Sequence, residues 1–290
     1  MEVKIPESLR ALGHSAQGRA WLDTLPAIFD QAVERWSLRL GRPYTYAYAS
    51  LAMPARLPDG TEAVLKLAFP HRESRQEAEA LRHWDGEGAL RLLAHDPDSD
   101  ALLLERCTPG TPLSDAGGDE ALAVLTGLLP RLWKPAGPPF TRLSEEAAWW
   151  AGYLEERWET ARRPFPRSLL EAALNALDSL PGSQGQQVLV NQDLNAGNVL
   201  RAGREPWLVI DPKPLAGERE FGVAPIVRGG ELGHSRAQVL MRLDRLCAEL
   251  GLDRERARAW TLAQTLAWSF EGEAVLPAHV DVAQWLHEAR

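Results

Sequence analysis

The stretch Gln186-Gln187-Val188-Leu189-Val190-Asn191-Gln192-Asp193-Leu194-Asn195-Ala196-Gly197-Asn198, continued through Val199-Leu200-Arg201-Ala202-Gly203-Arg204-Glu205-Pro206 to Trp207-Leu208-Val209-Ile210-Asp211-Pro212-Lys213-Pro214, decides how the chain is read. Short apolar runs alternate with turn formers, which spells strand, loop, strand, turn, strand. After Asn198 the chain runs out as a short strand, reverses at Ala202 to Pro206, and returns as a strand that ends on Asp211. A hairpin of that length brings Asn198 and Asp211 near each other at its open end. Two oxygen-bearing side chains converging there can share Mg²⁺, a hard cation that takes few protein oxygens and completes its shell with water and phosphate. Asp193, just upstream, is placed to orient an attacking hydroxyl and accept its proton, which is the loop geometry of phosphoryl transfer. Turn-forming residues beside a hairpin also account for the same letters, so the surrounding sequence has to be weighed.

Upstream, Pro43 to Pro70 reads as two or three strands, with Pro58-Asp59-Gly60 as a turn between two of them. Lys66 lies inside the apolar run Val64-Leu65-Lys66-Leu67, so its ammonium must point into a cleft or to solvent. A helix is expected from about residue 74 to 84, with Ser74 as N-cap and Glu77 completing a capping box. Ala89 to Cys107 reads as a further strand pair, and Thr108-Pro109-Gly110-Thr111-Pro112 as a boundary. Residues 11–40 look helical, with Pro26 expected to break or restart the helix. Helical spacing recurs at 119–133, 144–163, 166–180, 235–250, 253–270 and 279–289. The order is therefore a small strand-rich lobe, residues 1–107, then a larger helical lobe, residues 108–290.

Of 290 residues, 45% are hydrophobic and 25% charged, which are globular values. Lys and Arg number 32 against 40 Asp and Glu, a formal charge of −8, which argues against a nucleic-acid partner. No apolar run reaches the length of a membrane span and the start lacks a signal-peptide pattern, so a cytoplasmic protein is expected. The cysteines, Cys107 and Cys247, form no Cys-x-x-Cys pair, and the histidines are scattered. A Walker A loop, a G-x-G-x-x-G and a G-x-S-x-G are all missing. The 11 tryptophans sit mostly in helical stretches and read as packing residues.

The segments Asp59 to Leu113 and Val190 to Pro214 resemble the aminoglycoside phosphotransferase family, in particular its streptomycin 6-kinase and hydroxyurea phosphotransferase branch, and the likeness extends over most of residues 40–235. The resemblance implies an α+β, protein-kinase-like fold of two lobes, with ATP and Mg²⁺ as cofactors and a hydroxyl-bearing small molecule as substrate. It implies Lys66 as the phosphate-binding lysine and Glu77 as its partner. Glu77 and Glu79 stand ~200° apart on a helix, so only one can face the strand. Asp193 becomes the catalytic base, Asn198 and Asp211 the metal ligands, and Glu105, Arg106 and Cys107 the hinge that reads adenine.

The sequence departs from the family at four places. Asn191 and Asn195 stand where histidines are common. Ala47, Ala49 and Ser50 occupy the phosphate-covering strand-turn-strand, which lacks glycine. Gly222 stands where an Asp often braces the catalytic loop, so a looser loop is expected. These departures suit a rival reading, a kinase-like nucleotide-binding module acting through partners without catalysis. Against it, Lys66, Asp193, Asn198 and Asp211 are all present together. Glu231, Glu271, Glu273 and Asp281 are the acidic candidates for substrate contact in the helical lobe.

Overall fold

The computed structural model describes residues 5–45 and 49–289. Two compact units make up the chain: residues 1–110 with 202–208, and residues 111–201 with 209–290.

The first unit is built on an antiparallel sheet of β1 (Arg39–Leu40), β2 (Ser50–Arg56), β3 (Glu62–Ala68), β4 (Leu92–Asp96) and β5 (Ala101–Glu105), in the spatial order β1-β2-β3-β5-β4. Pro58-Asp59-Gly60 does turn the chain between β2 and β3. Gly60 takes φ 91°, and Thr61 N–H donates to Asp59 Oδ1 at 2.9 Å. Strand alternation then sorts the side chains. Leu51, Met53 and Ala55 of β2 pack with Ala63, Leu65 and Leu67 of β3 and Leu103 of β5 on one face. Lys66, out of phase with them, emerges on the other, opposite Ala52 and Leu102 in register.

The apolar face is covered by the helix Ala16–Trp36, which contributes Trp21, Leu25, Phe29 and Ala32 to the same cluster. This helix runs straight through Pro26, contrary to the break expected there. An interior proline costs ~3 kcal/mol. Burying Trp21, Leu25 and Phe29 against the sheet returns ~1.5–3 kcal/mol each, so tertiary packing overrides the local preference.

The second helix of this unit also differs from expectation. It spans Glu77–Trp84, its N-cap residue is Gln76, and no side chain caps it. The Ser74 hydroxyl instead accepts from His71 N–H at 3.2 Å, while the Glu77 carboxylate turns to Lys66. Both halves of the capping box are thus engaged elsewhere.

The second unit is mainly helical, with helices Gly118–Leu132, Leu143–Thr160, Arg167–Ser179, Arg236–Leu250, Arg254–Ala267 and Pro277–Glu288. Among them lies an antiparallel pair, β6 (Val188–Asn191) and β9 (Pro214–Gly217), in register from Val188↔Gly217 to Asn191↔Pro214. Between these two in sequence come the short strands β7 (Val199–Arg201) and β8 (Trp207–Val209). Trp150, Trp158 and Trp260 are buried, and Phe221 packs edge-on to Trp260 at 5.6 Å. Trp149 is the exception, 44% exposed. Among the described residues no helix is long and apolar enough to cross a membrane.

Candidate active site

In the first unit, Lys66 Nζ lies 2.7 Å and 2.6 Å from the two carboxylate oxygens of Glu77. Both side chains are buried. The partner is therefore Glu77, while Glu79 meets Arg82 at 3.4 Å on the surface. A buried ammonium needs such a counter-charge, since desolvating it alone costs several kcal/mol. Ser50 opens β2, half-buried and paired with Ala68, and Ala49 C=O accepts from Phe69 N–H at 2.8 Å. Ala47 lies outside the described residues.

The segment Glu105, Arg106 and Cys107 follows β5. Arg204 grips the Glu105 carboxylate with two nitrogens, at 2.9 Å each, and donates to Gly86 C=O and Ala89 C=O. Arg91 N–H donates to the same carboxylate, and Glu105 N–H is spent on Arg91 C=O. Glu105 is thereby a structural anchor in both backbone and side chain. Arg106 reaches Glu62 at 3.3 Å. Burial, with the Glu105 charge second, pushes the Cys107 thiol up to about 11, which keeps it protonated and unreactive.

In the second unit, β6 delivers Asn191 and Gln192, both buried, and then Asp193, half-buried. Asn191 Oδ1 accepts from Asp193 N–H at 3.1 Å and from Lys213 N–H at 2.9 Å. The Asn191 side chain thus ties the loop to the segment after Asp211. Asn195 caps the turn Ala196–Asn198, its Oδ1 accepting from Gly197 and Asn198 N–H, and its amide donates to Asp193 C=O at 3.1 Å. Asn198 spends its amide N–H on Asp193 C=O at 3.0 Å. Ile210 N–H donates to Asn198 C=O at 2.9 Å, so Asp211 follows directly beside Asn198. Asp211 is exposed and takes φ 49°, a left-handed conformation that Asp tolerates better than most residues.

The loop is not slack at Gly222. A Cβ there would meet Trp133 Nε1 at 2.8 Å, so glycine is required by packing. Bracing comes from other residues: Gln264 donates to Gln192 C=O at 2.9 Å, and Glu231 accepts from Ala196 N–H at 3.1 Å. Glu231 is accordingly part of the loop's support. Glu271 and Glu273 are exposed beside Gly272, and Asp281 meets His234 at 3.3 Å. Burial, then Arg228, lowers His279 to about 4, and its Nδ1 donates to Trp268 C=O at 3.1 Å.

Sequence reasoning missed Lys213. Its ammonium is 2.8 Å from Asp193 Oδ2 and 5.2 Å from the centre of the Trp268 ring, over which Arg228 also sits at 4.7 Å. The signal was available: a lysine two residues past Asp211 in Ile-Asp-Pro-Lys-Pro. Among the described residues no three His, Cys, Asp or Glu side chains cluster as a metal site. An amide oxygen and one carboxylate do suit a cation that keeps its waters and binds phosphate oxygens.

The sequence model of the aminoglycoside/hydroxyurea antibiotic resistance kinases matches residues 35–271. The chain belongs to that family. It is 40% identical over 301 residues to a streptomycin 6-kinase of Streptomyces glaucescens, covering 98% of this chain and 97% of that one. It is 42% identical over 276 residues to a hydroxyurea phosphotransferase of Kitasatospora aureofaciens, covering 90% and 78%. Among solved structures, the choline kinase LicA of Streptococcus pneumoniae superposes with a TM-score of 0.61 at 12% identity, covering 91% of this chain and 98% of that one. The fold is the protein-kinase-like one. As a member of this family the chain is an enzyme, a phosphotransferase acting on small molecules.

Proposed function

We propose that this kinase transfers the γ-phosphoryl group of ATP to a hydroxyl of a small molecule, with a streptomycin-like aminoglycoside as the first acceptor. The near-full-length kinship with a streptomycin 6-kinase carries this reading. In it, Asp193 orients the acceptor hydroxyl and takes its proton. Lys66, held by Glu77, faces the nucleotide phosphates. Glu105, Arg106 and Cys107 offer backbone groups to adenine, the Glu105 N–H being already spent on Arg91 C=O, and Ser50 belongs to the strand that flanks the phosphates. Asn198 and Asp211 hold Mg²⁺, which supplies charge neutralisation at the phosphate oxygens when bound. Residues 1–107 and 108–290 serve as nucleotide and substrate lobes. A module without catalysis is not favoured, because the residues that departed from the family pattern, Asn191, Asn195 and Gly222, each have a structural task.

An ATP-consumption screen over aminoglycosides, hydroxyurea and small alcohols tests the reading. Consumption with none of them, under conditions where ATP binds, would reject it. Asp211→Asn should weaken Mg²⁺-dependent ATP binding by about tenfold or more, since even outer-shell losses cost that much at metal sites. Unchanged calorimetric affinity in that variant would remove Asp211 from the metal.

One observation favours a neutral acceptor such as hydroxyurea instead. Lys213 stands 2.8 Å from Asp193 and shares the Trp268 ring with Arg228, and a polycation gains nothing from a cation at Asp193. Ionic strength separates the two. A chain of charge −8 attracts a polycation at long range, with screening over about 8 Å at physiological salt. KM for an aminoglycoside should therefore rise with added salt, while KM for hydroxyurea should stay flat.

A further inference from the structure

We infer that Lys213 is a catalytic residue of this kinase, one whose ammonium meets the γ-phosphoryl group of bound ATP and stays with it through transfer. This rests on the reading of Asp193 as the proton acceptor.

The backbone of Lys213 is fixed at both ends of its peptide. Its N–H donates to Asn191 Oδ1 at 2.9 Å, and its C=O accepts from Gln192 N–H at 3.0 Å. The side chain, by contrast, is a flexible stem ending in a compact charge. That charge stands 2.8 Å from Asp193 Oδ2 and 5.2 Å from the Trp268 ring centre. Strand pairing has thus set the root of the side chain, and its tip lies between Asp193 and Trp268.

Orientation of Asp193 alone does not call for a cation. Its N–H is taken by Asn191, and its C=O accepts from both Asn195 and Asn198. What Lys213 adds is positive charge at one particular place. A hydroxyl delivered to Asp193 lies ~3 Å from the carboxylate, and the reacting phosphorus lies ~3–3.5 Å beyond that hydroxyl in a productive geometry. One rotamer change of a lysine covers such a distance. Negative charge spreads over the phosphoryl oxygens during transfer, and a pre-placed cation there stabilises the transition state.

The step balances as follows. A bond forms between the acceptor oxygen and the γ-phosphorus. The bond from that phosphorus to the β,γ-bridging oxygen breaks, and its electron pair stays on ADP. The hydroxyl proton passes to Asp193. Lys213 keeps all its protons throughout and contributes charge only. Trp268 gives the ammonium a face to rest against before ATP binds and after the products leave, as a cation over an aromatic ring.

The test compares Lys213→Met and Lys213→Arg with the wild type, reading kcat, both KM values, and calorimetric affinities for ATP and ADP in the presence of Mg²⁺. Lys213→Met should lower kcat by about a hundredfold or more and leave the acceptor KM within about threefold. It should also erase the wild type's preference for ATP over ADP, because the lost contact is to the γ-phosphoryl group. Lys213→Arg should recover at least about a tenth of kcat, since it keeps the charge but not the shape. A Lys213→Met enzyme with kcat within about threefold of wild type would overturn the inference. So would a lost kcat with the ATP-to-ADP affinity ratio unchanged, which would reduce Lys213 to a prop for Asp193. A wild type that binds neither nucleotide would instead bring down the kinase reading, and the inference with it.

Discussion

Asp193→Asn is expected to lower kcat by about a hundredfold or more while MgATP affinity stays close to wild type. Loss of a general base costs 10²–10⁴-fold. Asparagine keeps the size of the side chain, and the backbone carbonyl that accepts from Asn195 and Asn198 is untouched. The loop should therefore keep its path, so the loss falls on proton transfer and not on folding. Calorimetry with MgATP and steady-state turnover, run on the same preparation, separate the two. Turnover near the wild-type level would show that Asp193 does not take the proton.

The second large effect concerns stability. Glu77→Leu should cost ~3–5 kcal/mol, because it takes from a buried ammonium the carboxylate that both its close contacts reach. Adding Lys66→Met should return most of that loss, since a well-packed apolar pair of similar volume often matches a buried ion pair. The double variant should then melt near the wild type and yet bind ATP poorly. Thermal midpoints of the wild type, both single variants and the double variant decide it. Additive losses would mean that the pair is not coupled. That pattern, restored stability without restored binding, would mark the pair as kept for its charge at the phosphates.

Much of this architecture could be read in the sequence, and the misses share a physical cause. The Pro58-Asp59-Gly60 turn, the β2–β3 pairing and the major helices follow from periodicity and turn chemistry, which act within a few residues. The unbroken helix through Pro26 and the missing capping box at Ser74 were set by distant partners, the sheet and Lys66. No local rule reports such contacts. The same holds within the candidate site. Asp193, Asn198 and Asp211 stand out by type and spacing. The supports of the loop do not: Gln264 meets Gln192, and Glu231 meets Ala196, across long gaps in the sequence. Asn191 and Asn195 looked like defects when judged against the family pattern. Their amides perform a task that letters alone do not display: Asn191 accepts from two backbone N–H groups, and Asn195 accepts and donates at once around Asp193. Gly222 likewise reads as a missing brace until Trp133 is seen to fill the space.

Arg204 has a consequence for how such a protein can be divided or recombined. The first unit owns residues 202–208 as well as 1–110, so the polypeptide passes between units three times and not once. A gene segment ending at Gly110 would carry the whole five-stranded sheet but leave behind the arginine that grips Glu105 and the carbonyls of Gly86 and Ala89. Domain shuffling by a single joint is therefore closed to this chain. A replacement first unit would have to arrive together with its own matching Ala202–Leu208 loop, and any lineage exchanging one without the other would inherit an unanswered carboxylate at the end of β5.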